Sequence, residues 1–232
     1  MYHKVARRPS GALVPHHYVS PARFANQMRA LVRFGFKASR LSDLSDWPDP
    51  SEKSIGITFD DGYENFAPNA LPALEEHGLT GTVFVVAGLM GKTNEWDTKN
   101  GDVPEPLLNE AKIKELDVKG IEIGSHSLTH ARLTEVSAEE ALNEIVESQR
   151  ILSGLLAKPI DQFCYPYGAH NEGVRELVRS AGYQAACSVE KGWNDATTDP
   201  YRLRRTNVRS DTSTPVLFWK LWRQSRLDTT DR

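Results

Sequence analysis

The sequence is poor in the residues that define disulfide-stabilised and membrane-spanning proteins. Only two of its 232 residues are cysteine, Cys164 and Cys187, which excludes a scaffold built on disulfides. We expect both to be free thiols, with a single disulfide between them as the alternative. No apolar run approaches the roughly 20 residues that cross a bilayer, so we expect no transmembrane segment.

The chain also lacks a strong charge of either sign. Its formal net charge is -3 and 25% of its residues are charged, so neither disorder nor a surface that binds nucleic acid is indicated. The first eight residues contain no apolar region like that of a secretory signal. We therefore expect a cytoplasmic location, unless the true start of the protein lies upstream of Met1.

Strand-like and helix-like segments alternate along most of the chain. This alternation favours an α/β fold with a mainly parallel sheet or barrel. Ser20-Pro21 is typical of a helix start, and the capping box at residues 137–140 predicts the start of a longer helix. Apolar runs at residues 55–59 and 82–86 predict buried strands. Residues 87–105 predict a long irregular loop, a kind of segment that is often functional.

Two polar motifs follow apolar runs and carry most of the chemistry. One is Thr58-Phe59-Asp60-Asp61-Gly62-Tyr63, and the other is Ser125-His126-Ser127-Leu128-Thr129-His130. Side chains at the carboxyl ends of parallel strands lie on one rim of a barrel. One carboxylate and two imidazoles can bind a divalent ion and leave a position open for water. The two motifs together therefore predict a metal site, and the second aspartate is then available to move protons.

The two histidines of the second motif are four residues apart. We expect His126 and His130 to lie on one helical turn with both imidazoles facing the same way, as in other metal sites built from such a pair. Each motif alone is more often a solvated turn or helix face. Their combination, with the Tyr165-Pro166-Tyr167-Gly168 turn, makes the metal site the better interpretation.

With these three motifs in this order and at these separations, the chain resembles the polysaccharide deacetylase family, also called carbohydrate esterase family four or the NodB homology domain. The resemblance covers roughly residues 2–209. Residues 1–5 and 201–205 are similar to the branch that includes poly-N-acetylglucosamine deacetylases. The family implies a single-domain distorted (β/α)7-type barrel over residues 1–210, followed by a C-terminal helix and tail over residues 211–232.

The resemblance also implies an activity, the removal of an acetyl group from an N-acetylated sugar by metal-assisted hydrolysis. Asp61, His126 and His130 would hold the metal, and Asp60 would be the general base. We expect zinc, with cobalt or nickel as alternatives for the same ligands.

The third motif would complete the site. In the family a backbone N–H of this motif stabilises the oxyanion, and here the matching group is that of Tyr167. Tyr165 and Pro166 would wall the sugar groove together with Tyr167. Trp96, in the long loop, either stacks on the sugar ring or packs as part of the core.

Two positions depart from the family pattern. Cys164 stands where many members have an arginine that orients the catalytic aspartate. Arg204 and Arg205 lie on a predicted strand, where alternation lets only one of them point inward. We favour Arg204 for this role, with a solvated strand face as the simpler explanation. No histidine follows His170 to act as general acid, and we expect His3 to replace it, unless His3 is only a strand-end histidine satisfied by backbone groups.

We therefore expect a carbohydrate-active, metal-dependent deacetylase that acts on a glycan or on an intermediate of polysaccharide biosynthesis. The same chemistry would serve a deformylase or an O-acetyl esterase on a related sugar. The missing arginine and histidine leave a catalytically weak, sugar-binding pseudoenzyme as an alternative from another class. A base beside a metal ligand favours the enzyme, because a binding module has no use for one. The sequence predicts no particular oligomeric state.

Overall fold

The computed structural model describes residues 1–44 and 53–227. Within these ranges the strands are Lys4–Val5 (β1), Tyr18–Val19 (β2), Lys37–Ser39 (β3), Ser54–Gly56 (β4), Thr58–Phe59 (β5), Thr82–Val85 (β6), Glu122–Ser125 (β7), Gln162–Cys164 (β8) and Ala185–Cys187 (β9). The α-helices are Pro21–Arg33 (α1), Phe66–Asn69 (α2), Leu71–Glu76 (α3), Glu95–Thr98 (α4), Glu110–Val118 (α5), Ala138–Leu156 (α6), Glu172–Ser180 (α7) and Thr214–Leu227 (α8).

The central sheet contains β5, β6, β7, β8 and β9 in that order, and every neighbouring pair is parallel. Isolated parallel bridges extend it on both sides, from Phe59 to Tyr2 and from Cys187 to Leu203. The N–H of Val208 donates to the carbonyl of Met1 at 3.0 Å, which brings the segment after Leu203 against the first one. The parallel sheet thus curls back on itself, and the predicted α/β fold of the barrel type is confirmed.

Apolar side chains on both faces of the sheet make the core. All four residues of β6 are buried, because helices and loops cover a parallel sheet on either side. The predicted helix starts are confirmed by their caps: the Ser20 hydroxyl accepts from the N–H of Arg23 at 3.3 Å, and Ser137 and Glu140 form the reciprocal capping box. These helices pack against the outside of the sheet. The polar motifs lie at the carboxyl ends of its strands, where the helices do not cover them.

The C-terminal helix α8 packs onto the same core. Leu217 and Leu221 belong to the main apolar cluster, and the Phe218 ring lies 4.6 Å from that of Phe34. The division at residue 210 stays a prediction, and residues 228–232 of the predicted tail lie outside the described part. Among the described helices, none has both the length and the apolar character that a membrane span requires.

Candidate metal centre and active site

The two aspartates leave β5 through a tight turn. Asp61 has a φ of 73° and Gly62 a φ of 70°, so the backbone turns through two successive left-handed residues. A Cβ on Gly62 would lie 3.3 Å from the Cα of Val85, and glycine therefore lets this turn approach β6 closely. The turn directs Asp60 and Asp61 to different partners, and both side chains are buried.

The histidine motif follows β7 in a loop, and the predicted helical turn is wrong. Ser127 and His130 have φ values of 66° and 65°, and a right-handed helix cannot continue through left-handed residues. Instead, the N–H of His130 donates to the Ser127 hydroxyl at 3.0 Å. The loop still brings the imidazoles of His126 and His130 together, with ring centres 4.9 Å apart.

A buried carboxylate on α6 holds this loop in place. Glu144 is 8% exposed and accepts from the N–H of Leu128 at 3.0 Å, the N–H of Thr129 at 2.8 Å and the hydroxyl of Thr129 at 2.6 Å. Hydrogen bonds to a charged group are stronger than neutral ones. Glu144 therefore fixes the strained segment between the two histidines, a role that its place in an amphipathic helix did not reveal.

Three residues meet with metal-binding atoms turned toward one another. The Nε2 atoms of His126 and His130 lie 3.2 Å and 3.3 Å from Oδ1 of Asp61. Ligand atoms of a tetrahedral zinc ion, each 2.0–2.2 Å from the metal, lie about 3.3–3.6 Å apart. Nδ1 of His126 lies 2.7 Å from the carbonyl oxygen of Cys164; donation to that carbonyl leaves Nε2 free to bind a cation. The donor set and its spacing fit a divalent metal.

The charges of this set depend on one another: burial lowers the pKa of His126, but Cys164 and Asp61 outweigh it and raise that pKa well above its usual range. Burial alone would raise the pKa of Asp61, but the hydrogen bonds from His126 and His130 keep it well below its usual range. Burial lowers the pKa of His130, which favours the neutral imidazole that a metal requires.

Asp60 lies within 4.8 Å of a ring nitrogen of His126 and forms a buried ion pair with Arg205. Two parallel contacts join them, from Nη1 to Oδ1 at 2.6 Å and from Nη2 to Oδ2 at 2.8 Å. Burial disfavours the charged carboxylate, but the guanidinium outweighs it and lowers the pKa of Asp60 to about 2. Cys164 also contacts this pair, with its Sγ 3.1 Å from Nη2 of Arg205. Both cysteines are free thiols, as predicted.

The preference for Arg204 over Arg205 is therefore wrong. The side chain of Arg204 lies against Gly192, where a Cβ would be only 2.6 Å from its Cδ, and its N–H donates to Asn194 at 2.8 Å. Strand alternation predicted that one arginine points inward, but not which one. The decisive contact is the Nε of Arg205 on the carbonyl of Ser188, at 2.8 Å.

The metal-binding atoms open into a cavity of about 220 Å³. His3 and Trp96 both line it. The Trp96 ring stacks on His130 at 4.3 Å and 23°, and it also packs against the buried cluster of Tyr63 and Leu107, so it takes both of the places considered for it. His3 lies between Tyr2 and the start of β1 rather than at the end of the strand. His17 also lines the cavity, although no sequence pattern assigned it a role.

The third motif contributes unequally to the cavity. Tyr167 is left-handed, with a φ of 59°, and its half-exposed ring lies 4.6 Å from that of His130. The N–H of Tyr167 has no acceptor among the described residues. Tyr165 reaches the cavity, but its ring is buried and its hydroxyl donates to the carbonyl of Tyr201 at 3.0 Å. Pro166 is buried and does not line the cavity.

Sequence comparisons place these motifs among known proteins. The family model described as polysaccharide deacetylase matches residues 48–186. YxkH of Bacillus subtilis, which carries the same family's name, is 28% identical over 159 residues, which are 68% of this chain and 53% of YxkH. The poly-beta-1,6-N-acetyl-D-glucosamine N-deacetylase of Staphylococcus aureus is 22% identical over 210 residues, 85% of this chain and 70% of that protein. The chain thus spans about half the length of YxkH.

Solved structures agree in fold. IcaB from Ammonifex degensii superposes with a TM-score of 0.82 at 21% identity, covering 97% of this chain and 95% of that one. The Streptococcus pyogenes deacetylase PplD, in complex with acetate, gives a TM-score of 0.81 at 21% identity, covering 94% and 95%. At this level of identity, the likeness shows the fold.

Proposed function

Because the chain belongs to the polysaccharide deacetylase family, we propose that it is a metal-dependent hydrolase that removes the acetyl group from an N-acetylated glycan. The observation that carries the proposal is the spacing of the Asp61, His126 and His130 donor atoms beside an ionised second aspartate. A β-1,6-linked N-acetylglucosamine polymer is the substrate that the name of the Staphylococcus aureus relative supports.

Asp61, His126 and His130 would hold the metal, which we propose to be zinc because two imidazoles and one carboxylate suit it, with cobalt or nickel as alternatives. When bound, such an ion acidifies water and polarises the acetyl carbonyl. The chain's own residues would do the rest, which is to orient the substrate and to move two protons.

Asp60 would accept a proton as water adds to the carbonyl carbon. Its low pKa keeps it ionised at neutral pH, and the two contacts from Arg205 fix the plane of the carboxylate. Arg205 thus supplies the guanidinium that Cys164 cannot, which argues against a catalytically weak pseudoenzyme. A water proton moves to Asp60, and the hydroxyl oxygen forms the new C–O bond.

The N–H of Tyr167 would donate to the developing oxyanion, since it has no other acceptor among the described residues. His3 would give a proton to the sugar nitrogen as the C–N bond breaks, so that acetate and a free amine leave. The rings of Trp96 and Tyr167, which both pack against His130, would contact the apolar faces of the sugar.

The test is acetate release from β-1,6-linked and β-1,4-linked N-acetylglucosamine oligomers by metal-stripped and zinc-reloaded protein. We expect release only after reloading, and a loss of at least about 100-fold in kcat for Asp60→Asn, the scale of a general base. Asp117→Asn, a matched change in an ion pair away from the cavity, should leave kcat unchanged.

The other outcomes separate the alternatives. Zinc binding without acetate release from any oligomer would overturn the proposed activity and favour the sugar-binding pseudoenzyme. Faster release of formate from N-formyl sugars, or of acetate from O-acetyl sugars, would assign the same site to a deformylase or an esterase.

A further inference from the structure

The imidazole of His3 is held by stacking. No hydrogen bond joins its ring to another residue in the described part of the chain. Its ring lies parallel to that of His17, with centres 3.9 Å apart and planes 9° apart. Both rings line the cavity that Asp60 and Asp61 also reach.

The pairing of β1 and β2 explains why these two rings meet. The strands are parallel, and Lys4 is opposite Tyr18. His3 and His17 come directly before these paired residues, each outside its strand, with His17 in the short 3₁₀ turn at residues 15–17. Paired strands lie about 4.8 Å apart, which brings the two rings close enough to stack. The contact follows from the register of the fold.

His17 is itself held from two directions. Its N–H donates to the carbonyl of Val14 at 3.2 Å, in the short 3₁₀ turn that Pro15 begins. The ring of His16 packs edge-on against it, at 4.7 Å and 81°. His17 therefore offers a fixed aromatic face, whereas His3 follows a bend in the chain.

Burial lowers the pKa of His3, so its imidazolium form depends on neighbouring groups that favour a positive charge. Burial, together with the neighbouring His3, lowers the pKa of His17 to about 2, so the His17 ring is uncharged at neutral pH. Its Nδ1 is buried without a partner among the described residues. A neutral aromatic face attracts a cation, and an imidazolium on His3 therefore finds an attractive surface rather than a second positive charge.

We propose that His17 is a positioning residue that holds the His3 imidazole in the orientation from which it protonates the leaving nitrogen. The inference rests on the proposed function, in which His3 is the general acid. It assigns to His17 no contact with the substrate and no proton of its own.

The test compares His17→Leu, which fills the space without a flat ring, with His17→Phe, which restores one. Activity is measured on the oligomer that the wild-type zinc enzyme hydrolyses best. His17→Leu should lower kcat about 10-fold or more, which is part of the roughly 10²–10⁴-fold that a general acid contributes to the rate. It should change KM less than about 2-fold. His17→Phe should recover kcat to within about 3-fold of the wild type. His77→Leu, the matched control on a histidine that follows α3 and does not line the cavity, should change neither.

A double variant and a spectrum separate positioning from loss of structure. In a His3→Ala background, His17→Leu should cause no further loss of kcat, because interacting residues are not additive. The NMR signal of the His3 Cε1–H should move on His17→Leu and return toward its original position in His17→Phe.

Equal losses for His17→Leu with and without His3, or no recovery in His17→Phe, would overturn the inference while leaving the deacetylase intact. A wild-type enzyme that releases no acetate would instead overturn the proposed function, and with it the role given to His3. An unchanged His3 signal in His17→Leu would show that no stack exists.

Discussion

Replacing Glu144 with glutamine should weaken metal binding without touching a ligand. The backbone N–H groups of Leu128 and Thr129 donate to the same carboxylate oxygen of Glu144, and the Thr129 hydroxyl donates to the other oxygen. A glutamine can keep the two N–H bonds on its amide oxygen, and its NH₂ can donate to the Thr129 hydroxyl. The glutamine variant loses the negative charge, so these hydrogen bonds become weaker. The left-handed backbone at Ser127 and His130 is then held less firmly.

The size of the effect follows from the two backbone N–H bonds. A hydrogen bond to a charged group contributes about 1.5–3 kcal/mol and a neutral one about 0.5–1.5 kcal/mol, so each N–H bond loses about 1 kcal/mol and Glu144→Gln should cost about 2 kcal/mol. If the loop alone carries this loss, the zinc Kd rises about 10- to 30-fold, within the range seen for residues that orient metal ligands. Glu144→Ala leaves two buried N–H groups unpaired and should cost about 4 kcal/mol.

The assay is a zinc titration against a competing chelator, with thermal unfolding of the same samples. A loss of 2 kcal/mol lowers Tm by roughly 5 °C in a domain of this size. Glu147→Gln is the matched control, because Glu147 lies on the same helix and pairs with Arg150 at the surface. A wild-type zinc Kd in Glu144→Gln, or an equal rise in Glu147→Gln, would refute the reasoning.

Three further predictions concern the other parts of the site. Arg205→Lys cannot keep both contacts to Asp60 and should lower kcat about 100-fold. The kcat of Arg204→Lys should stay within about 2-fold of the wild-type value, and steady-state kinetics of the two variants tests which arginine contributes to catalysis. Zinc at about 1,000 times its Kd should stabilise the stripped protein by roughly 4 kcal/mol and so raise its Tm in calorimetry. His130→Ala should abolish this rise in Tm. If the Tm of His130→Ala still rises with zinc, His130 is not a metal ligand. Trp96→Ala should raise KM about 10-fold with little change in kcat, measured on an oligomer series, because a lost aromatic contact acts on bound sugar in both states; a fall in kcat at constant KM would contradict this.

Sequence patterns predicted the parts of the site that depend on type and order of residues. Asp60 and Asp61 follow a buried strand, and so does His126, because strands of a parallel sheet end on one rim. Residue chemistry then limits what such a rim can hold. These inferences need only the local pattern and the fold class.

The arrangement within the rim depended on contacts between distant segments. The i, i+4 spacing of His126 and His130 suggested a helix, but the loop is shaped by Glu144, 14 residues beyond His130 in the sequence. The sequence pattern does not distinguish Arg204 from Arg205. The contacts of Arg205 with the Ser188 carbonyl and with Asp60 do. His17 acquires its place from the register of β1 on β2, which no single-strand pattern specifies.

Four of the five non-glycine residues with a left-handed backbone in the described ranges belong to the three motifs: Asp61, Ser127, His130 and Tyr167. Each such residue costs about 1–2 kcal/mol relative to an ordinary conformation, and together they approach the net stability of a typical domain. Glycine at these positions would remove that cost. It would also remove two of the proposed metal ligands, the hydroxyl that accepts from the N–H of His130, and a cavity wall. Selection for heat resistance alone would therefore favour replacement of the motif residues, and the most stable descendants of this chain would be inert.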